Sequence, residues 1–328
     1  MGKRAKGCVP GVVVIGGGTG LSTMLRGLKE KPIDITAIVT VADDGGSSGI
    51  LRSEMDVPAP GDIRNVMIAL ADEEQMLSKV LQHRFKSGNG LAGHSLGNLI
   101  LVAMKEITGD FVTGVKELSK VLAVRGRVLP SSADQIVLKA EMEDGTVVTG
   151  ESKIPQAGKR IRRVFLDPPQ AKPLGEALEA IREADAIILG PGSLYTSIIP
   201  NLLVPGMAQA VIASPALKIY VCNVMTQPGE TDGYTAWDHL AALEAHAGAR
   251  FIDAVVVNDG DIPGEALQRY AEQGAVPVDP DRARLEAAGY TVVADRLVRQ
   301  AQYLRHDAER LSDRIYDLIR RGRPITGA

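Results

Sequence analysis

Cysteine is nearly absent: the 328 residues hold two, Cys8 and Cys222. Two thiols make neither a disulfide framework nor a zinc site, and they suit a reducing compartment. An excess of charge is missing too. Lys and Arg number 37 against 40 Asp and Glu, a net charge of −3, so no global field draws the chain to nucleic acid or a membrane surface. Basic residues gather only locally. Lys3, Arg4 and Lys6 read as a disordered tail over residues 1–8, and Lys159, Arg160, Arg162 and Arg163 as a solvated strand face. Repeats and low-complexity tracts are absent, and no signal-peptide pattern opens the chain, which makes a cytoplasmic location the expectation. Residues 186–217 carry no charge at all. Pro191, Pro200, Pro205 and Pro215 would break a spanning helix there, so the stretch reads as core, with a subunit interface as the second option and a homodimer left open.

What is present is an alternation. Short apolar runs at 12–15, 35–41, 186–189, 219–222 and 254–257 have the two-sided hydrophobicity of buried parallel strands. Between them run helical patterns: Leu21, Met24, Leu25 and Leu28; Leu96, Leu99, Ile100, Ala103 and Ile107; Leu311, Ile315, Leu318 and Ile319. Strand alternating with helix predicts a doubly wound, mostly parallel, Rossmann-like α/β fold, one large domain over 9–328. Residues 127–166 read differently. Leu138, Ala140 and Met142 alternate with Lys139, Glu141 and Glu143, and Asp144-Gly145 turns the chain, so a small antiparallel β-hairpin insertion is expected.

The loops after the strands carry the chemistry. Gly16, Gly17, Gly18, Thr19 and Gly20 follow the first. Asp43, Asp44, Gly45, Gly46 and Ser47 follow the second; Gly190, Gly192, Ser193 and Tyr195 follow a third; Asn223 and Thr226 follow a fourth; Asn258-Asp259-Gly260-Asp261 follow a fifth. In a parallel sheet these loops share the carboxyl edge, where ligands of such sheets bind. The first loop misses the dinucleotide fingerprint, since Leu21 stands where the third glycine belongs. It still lets backbone approach a phosphate and aims a helix N-terminus at it. Asp43 and Asp44 suit a ribose hydroxyl or Mg²⁺, or form an Asx-turn. Asp62 reads as a helix N-cap, while Arg64, followed by Asn65, opposes the helix dipole and calls for an anion or an acidic partner. His94 and Asn98 flank the start of a helix that reads as buried, where they cap it or hold an anion. The pattern around Ser95, G-x-S-x-G, is that of an esterase elbow, but no strand precedes it. Thr235 and Asp238 read as a capping box.

In five runs, VIGGGTGLS (14–22), DDGGSSG (43–49), PGDIRN (60–65), GHSLGN (93–98) and NVMTQPGET (223–231), the chain resembles the gluconeogenesis factor family. The likeness extends over about residues 12–319. That family shares a superfamily with the 2-phospho-L-lactate transferase of deazaflavin cofactor synthesis. The resemblance implies a Rossmann-like cytoplasmic protein that binds UDP-sugars such as UDP-N-acetylglucosamine. It also implies a role in cell shape and envelope synthesis during gluconeogenic growth. The transferase relatives share the Gly-rich start and the paired aspartates and use Mg²⁺, whereas the DDGGSS and PGDIRN runs look like the gluconeogenesis branch. The first expectation is therefore a nucleotide-sugar-binding regulator acting through an unidentified protein partner, without nucleic acid or membrane insertion. The alternatives are a Mg²⁺-dependent transferase moving a phosphorylated group from a nucleotide-activated donor and, from fold alone, an NAD-dependent oxidoreductase.

Overall fold

The structure, a computed structural model, describes residues 9–72, 75–299 and 305–322; the basic tail of residues 1–8 lies outside them. The strands are β1 (Gly11–Gly16), β2 (Asp34–Val39), β3 (Arg127–Pro130), β4 (Val137–Met142), β5 (Val147–Thr149), β6 (Ile161–Asp167), β7 (Ala186–Leu189), β8 (Leu217–Val221), β9 (Ala254–Asn258), β10 (Thr291–Asp295), β11 (Val298–Arg299) and β12 (Arg305–His306). The helices are α1 (Gly18–Leu28), α2 (Gly46–Met55), α3 (Gly61–Leu70), α4 (Gln75–Gln82), α5 (Leu96–Thr108), α6 (Phe111–Val121), α7 (Gly175–Glu183), α8 (Ile199–Leu203), α9 (Met207–Ala213), α10 (Ala236–Ala247), α11 (Gly264–Ala271), α12 (Arg282–Ala287) and α13 (Ala308–Gly322).

Seven strands form one parallel sheet in the order β10-β9-β8-β7-β1-β2-β3. From β1 the chain moves one way, to β2 and β3; from β7 it moves the other way, to β8, β9 and β10. The reversal makes the gap between β1 and β7 the switch point, and right-handed crossovers of opposite travel put helices on both faces. That is why the runs at 12–15, 186–189 and 254–257 are apolar on both sides. Val12 to Ile15, Ala186 to Leu189 and Ala254 to Val257 are all buried. Helix α1 packs on α3 and α13, and α8 packs on α9 and α10.

The insertion differs from expectation in extent and strand count. Arg127–Pro130 is not part of it: it pairs parallel to β2, Thr36 opposite Arg127, and forms an edge of the main sheet. Four residues carry too little pattern to tell a parallel edge strand from the start of a hairpin. The antiparallel unit begins at Val137 and has three strands, β5-β4-β6. Its alternation is as read: Leu138, Ala140 and Met142 are buried, and Arg162 and Arg163 meet Glu141 on the wet face. The charge-free stretch 186–217 becomes β7, a π-helical turn (Leu194–Ile198), α8 and α9. Among the described residues no single helix is long and apolar enough to cross a membrane.

Candidate functional site

The switch point is built from two glycine loops in contact. The carbonyl of Gly17 comes within 3.2 Å of where a Cβ on Gly192 would stand, and the carbonyl of Pro191 within 2.9 Å of the same position on Gly20. A side chain on Gly20 would push the loops apart, and one on Gly192 would crowd them. Below them, Gly190 donates to the carbonyl of Ile15, while the Gly16 carbonyl accepts from Thr40 and from the buried Asn201. Gly16 and Gly190 thus form the floor of the joint, with the Gly190 amide and the Gly16 carbonyl already used. Asn223 pins the second loop from the tip of β8. Its Oδ1 accepts from the Gly192 amide (3.1 Å) and its Nδ2 donates to the Gly192 carbonyl (2.8 Å). Gln227 donates to the Ser193 hydroxyl at 2.7 Å.

A cavity of about 240 Å³ opens over this joint, lined by Gly18 to Gly20, Thr23, Pro191 to Ser193, Ser197, Asn223 to Gln227, Tyr270 and His306. Gly18, Thr19, Gly192, Ser193, Asn223 and Thr226 therefore meet where sequence placed them. Tyr195 does not. Its ring is buried, and its hydroxyl bonds that of Tyr234 at 2.8 Å. The π-helical turn carries it inward. Tyr270 and His306 come from distant segments without a motif, and sequence reasoning missed them. The buried His306 ring leaves Nε2 without a partner, and burial pushes its pKa down to about 4. The loop after β9 stays outside: Asn258 bonds the Gly260 carbonyl and the Leu297 amide.

The remaining candidates form a second group beside the cavity, joined to it at Asp62. Helix α3 begins at Gly61, with Pro60 at the capping position, so Asp62 is not the N-cap. Its carboxylate instead accepts from the Gly18 amide and lies over Gly17, where a Cβ would stand 2.4 Å from Oδ2. Burial first, and Asp43 second, push Asp62 up to about 6, against the pull of Gly18, Arg64 and Asn65. Asp43 and Asp44 part company. Asp43 Oδ1 accepts from the Gly45 amide, whereas Asp44 Oδ1 accepts from the Ser152 amide at 2.8 Å, reaching the antiparallel insertion. Arg52, on α2, holds this loop from beneath through the carbonyls of Ala42, Asp43 and Ile136. Two acids that sequence reasoning missed complete the wall. Glu230 is buried and accepts from the Thr196 hydroxyl at 3.2 Å, its Oε2 unpartnered. Burial pushes Glu230 up to about 7. Burial, then Asp43, Asp62 and Glu230, push Glu151 up to about 8. Glu230 stood within a recognised run; Glu151 had no sequence neighbour to betray it.

Farther along the rim, Ser47 is the hub. His94 Nδ1 meets its hydroxyl at 3.2 Å, and so does the side-chain amide of Asn98. Helix α5 starts at Leu96, and its outer side, Ile107 included, is exposed, so it is buried on one side rather than all round. Ser95 is buried, its hydroxyl donates to the Leu81 carbonyl, and the neighbouring histidine is engaged with Ser47. No elbow exists there.

A Rossmann-like sheet with paired glycine loops at its switch point defines the class: a doubly wound α/β protein with a cavity at the carboxyl edge. A family model described as 2-phospho-L-lactate transferase CofD matches residues 12–298. The chain is 57% identical to the gluconeogenesis factor of Halalkalibacterium halodurans over 318 residues, 97% of this chain and 98% of that protein. It is 58% identical to the gluconeogenesis factor of Bacillus subtilis over 312 residues, 95% of this chain and 98% of that one. A crystal structure of a UPF0052 family protein from Bacillus halodurans superposes with a TM-score of 0.91 at 57% identity, covering 94% of this chain and 99% of that one. The chain belongs to the gluconeogenesis factor family, within the CofD-type α/β proteins.

Proposed function

We propose that this chain is a cytoplasmic UDP-sugar-binding factor. In this reading it takes a ligand such as UDP-N-acetylglucosamine and, through a protein partner, regulates cell shape and envelope synthesis during gluconeogenic growth. One observation carries the reading: the Gly17–Gly192 joint at the switch point, pinned by Asn223 beneath an open cavity. The backbone of Gly18 to Gly20 and the start of α1 suit a diphosphate, because helix N-termini present free amides and positive dipole character. At about 240 Å³ the cavity is smaller than the ~300–1,000 Å³ of drug-sized ligand pockets. It holds the diphosphate and one end of the ligand, and the other end lies along the open rim.

The neighbourhood of Asp43 and Asp62 favours a second reading, a Mg²⁺-dependent transferase of a phosphorylated group. Asp43 raises the Asp62 pKa by repulsion, and a dication would relieve both carboxylates. Asp44 does not fit a shared ion, since it is spent on Ser152. Among the described residues no three acid, His or Cys side chains converge as a metal cage. Asp43 and Asp62 with ligand phosphates and water would match the way Mg²⁺ is held. The ion would neutralise phosphate charge; the chain's own part is positioning by Gly18, Gly192 and Asn223.

Isothermal titration with UDP-N-acetylglucosamine, UDP-glucose, NAD and GTP, with and without Mg²⁺, tests both readings. The expected result is saturable binding of the UDP-sugars, weakened about tenfold in Asn223→Ala, which loses hydrogen bonds of ~1 kcal/mol each. Silence toward both UDP-sugars sinks the first reading.

A further inference from the structure

Arg64 and Arg84 stand apart from the other well-buried or paired arginines. Arg52 is satisfied by three carbonyls, and Arg125, Arg282 and Arg314 each meet a carboxylate. Arg64 instead has its guanidinium held by two neutral oxygens, Asn98 Oδ1 at 2.7 Å and Asn65 Oδ1 at 2.8 Å. Its stem lies on Gly97, where a Cβ would stand 2.7 Å from Arg64 Cδ. Arg84, exposed, donates to the Gly93 carbonyl, and its Nη1 reaches to 3.9 Å from a Cβ position on Gly46. Among the described residues neither arginine has an ion-paired carboxylate.

The two cations border one polar cluster: Arg64 bonds Asn98, Asn98 donates to Ser47, and Arg84 Nη1 lies against the adjacent Gly46. Burial first, and the charge of Arg84 second, hold the Arg64 guanidinium below its ordinary value, and together they outweigh Asp62 and Asp43. A partly buried cation beside a like charge is destabilising unless an anion joins it. Two further donors of positive field flank this cluster: the first turn of α2 at Gly46 and Ser47, and the first turn of α5, tied together through Ser47, His94 and Asn98. None of Arg64, Arg84, His94, Asn98 or Ser47 lines the cavity over the glycine joint.

We propose that Arg64 and Arg84 form a second ligand site, distinct from the nucleotide-sugar cavity, that binds the phosphate group of a small non-nucleotide ligand. Two guanidinium forks match the several oxygens of a tetrahedral dianion better than the two of a carboxylate. The ligand is inorganic phosphate or a small phosphomonoester, which share this chemistry. The assignment does not rest on the identity of the nucleotide.

Titration of the full chain with inorganic phosphate and with glycerol 3-phosphate tests it, alone and with saturating UDP-N-acetylglucosamine. The expected result is saturable phosphate binding that persists when the nucleotide-sugar is present. In Arg84→Gln, an exposed position where folding is not at stake, phosphate binding should weaken about tenfold or more. UDP-N-acetylglucosamine binding by that variant should stay within about twofold of wild type. Tighter binding of the ester than of phosphate marks a phosphomonoester site; equal binding marks a free-phosphate site. The proposal is overturned if the wild-type chain shows no saturable phosphate binding. It is overturned equally if Arg84→Gln binds phosphate unchanged, or if the nucleotide-sugar displaces phosphate one for one. Failure of nucleotide-sugar binding alone leaves the phosphate titration as a complete test.

Discussion

A single methyl group at Gly17 tests the joint on which the site is built. The Gly17 backbone is extended, at φ −172°, so alanine suits it without backbone strain. The conflict is purely steric. The new Cβ would stand 2.4 Å from Asp62 Oδ2 and 2.8 Å from Thr40 Cγ2. Thr40 is buried and has little room to yield, so the Asp62 carboxylate must swing away and release the Gly18 amide. Losing a hydrogen bond to a charged group costs ~1.5–3 kcal/mol, and overpacking a core of this density ~1–3 kcal/mol. Part of that is returned, because Asp62 leaves the repulsion of Asp43 and gains water. We expect Gly17→Ala to lose about 2–3 kcal/mol, read as a fall of roughly 5 °C in Tm by calorimetry. On the proposed function, affinity for UDP-N-acetylglucosamine should fall more than about tenfold, because Gly18, freed from Asp62, lines the cavity. Gly175→Ala is the control: it opens α7, and no heavy atom lies within 4 Å of its Cβ position. Its stability should hold or rise by about 0.4–1 kcal/mol, with binding unchanged. Wild-type affinity and Tm in Gly17→Ala would falsify the account of the joint.

Two further outcomes are expected. Glu230 and Glu151 titrate at about 7 and about 8 in the fold against 4.5 when unfolded, so the native state holds the extra protons between those values and stability falls as pH rises from about 4.5 to about 8. Glu230→Gln should therefore gain on the order of 2–3 kcal/mol at pH 8.5 and almost nothing at pH 5 in urea unfolding; an equal gain at both pH values would show that titration is not the cause. Arg52→Lys keeps the charge but cannot reach three carbonyls at once, and should lose about 3 kcal/mol with an unchanged urea m-value; a loss below about 1 kcal/mol would mean the Asp43 loop is held by something else.

Much of the fold could be read in the sequence because burial on two faces leaves an unmistakable imprint. The strands at Val12, Ala186 and Ala254 are such runs, and β4 shows the opposite imprint, one face wet. Arg127–Pro130 reads as part of the insertion because an edge strand of four residues has one neighbour and little pattern. The glycine joint was legible for the same physical reason that makes it work: backbone-to-backbone contact admits few side chains, so the loops advertise themselves. Side-chain direction was not legible. Asp43 makes the local turn to the Gly45 amide that its loop offered, but Asp44 beside it reaches Ser152, and Tyr195, two residues after the cavity's Ser193, faces Tyr234. Those choices depend on partners brought from the insertion and from residues 226–234, which no local window contains.

The distribution of broken rules supports the proposed site. At two helix caps away from the rim, local preference and structure agree. Thr235 and Asp238 form the complete capping box their spacing predicts, and Asp110 caps α6. On the rim they disagree repeatedly. Arg64 opposes a helix dipole, and Asp62 and Glu230 are acids pushed toward neutrality. Each departure raises the energy of the empty protein. A core as extensive as the one under this sheet can carry them, and sequences that violate local rules do so where a ligand restores the balance. The sign of the imbalance matters as much as its existence. Acids crowd Asp43 and cations crowd Arg64, on two ends of one lip that meets at Asp62. On the proposed function, a ligand set that repairs both ends brings positive charge to one and negative charge to the other. A lone uncharged metabolite could do neither.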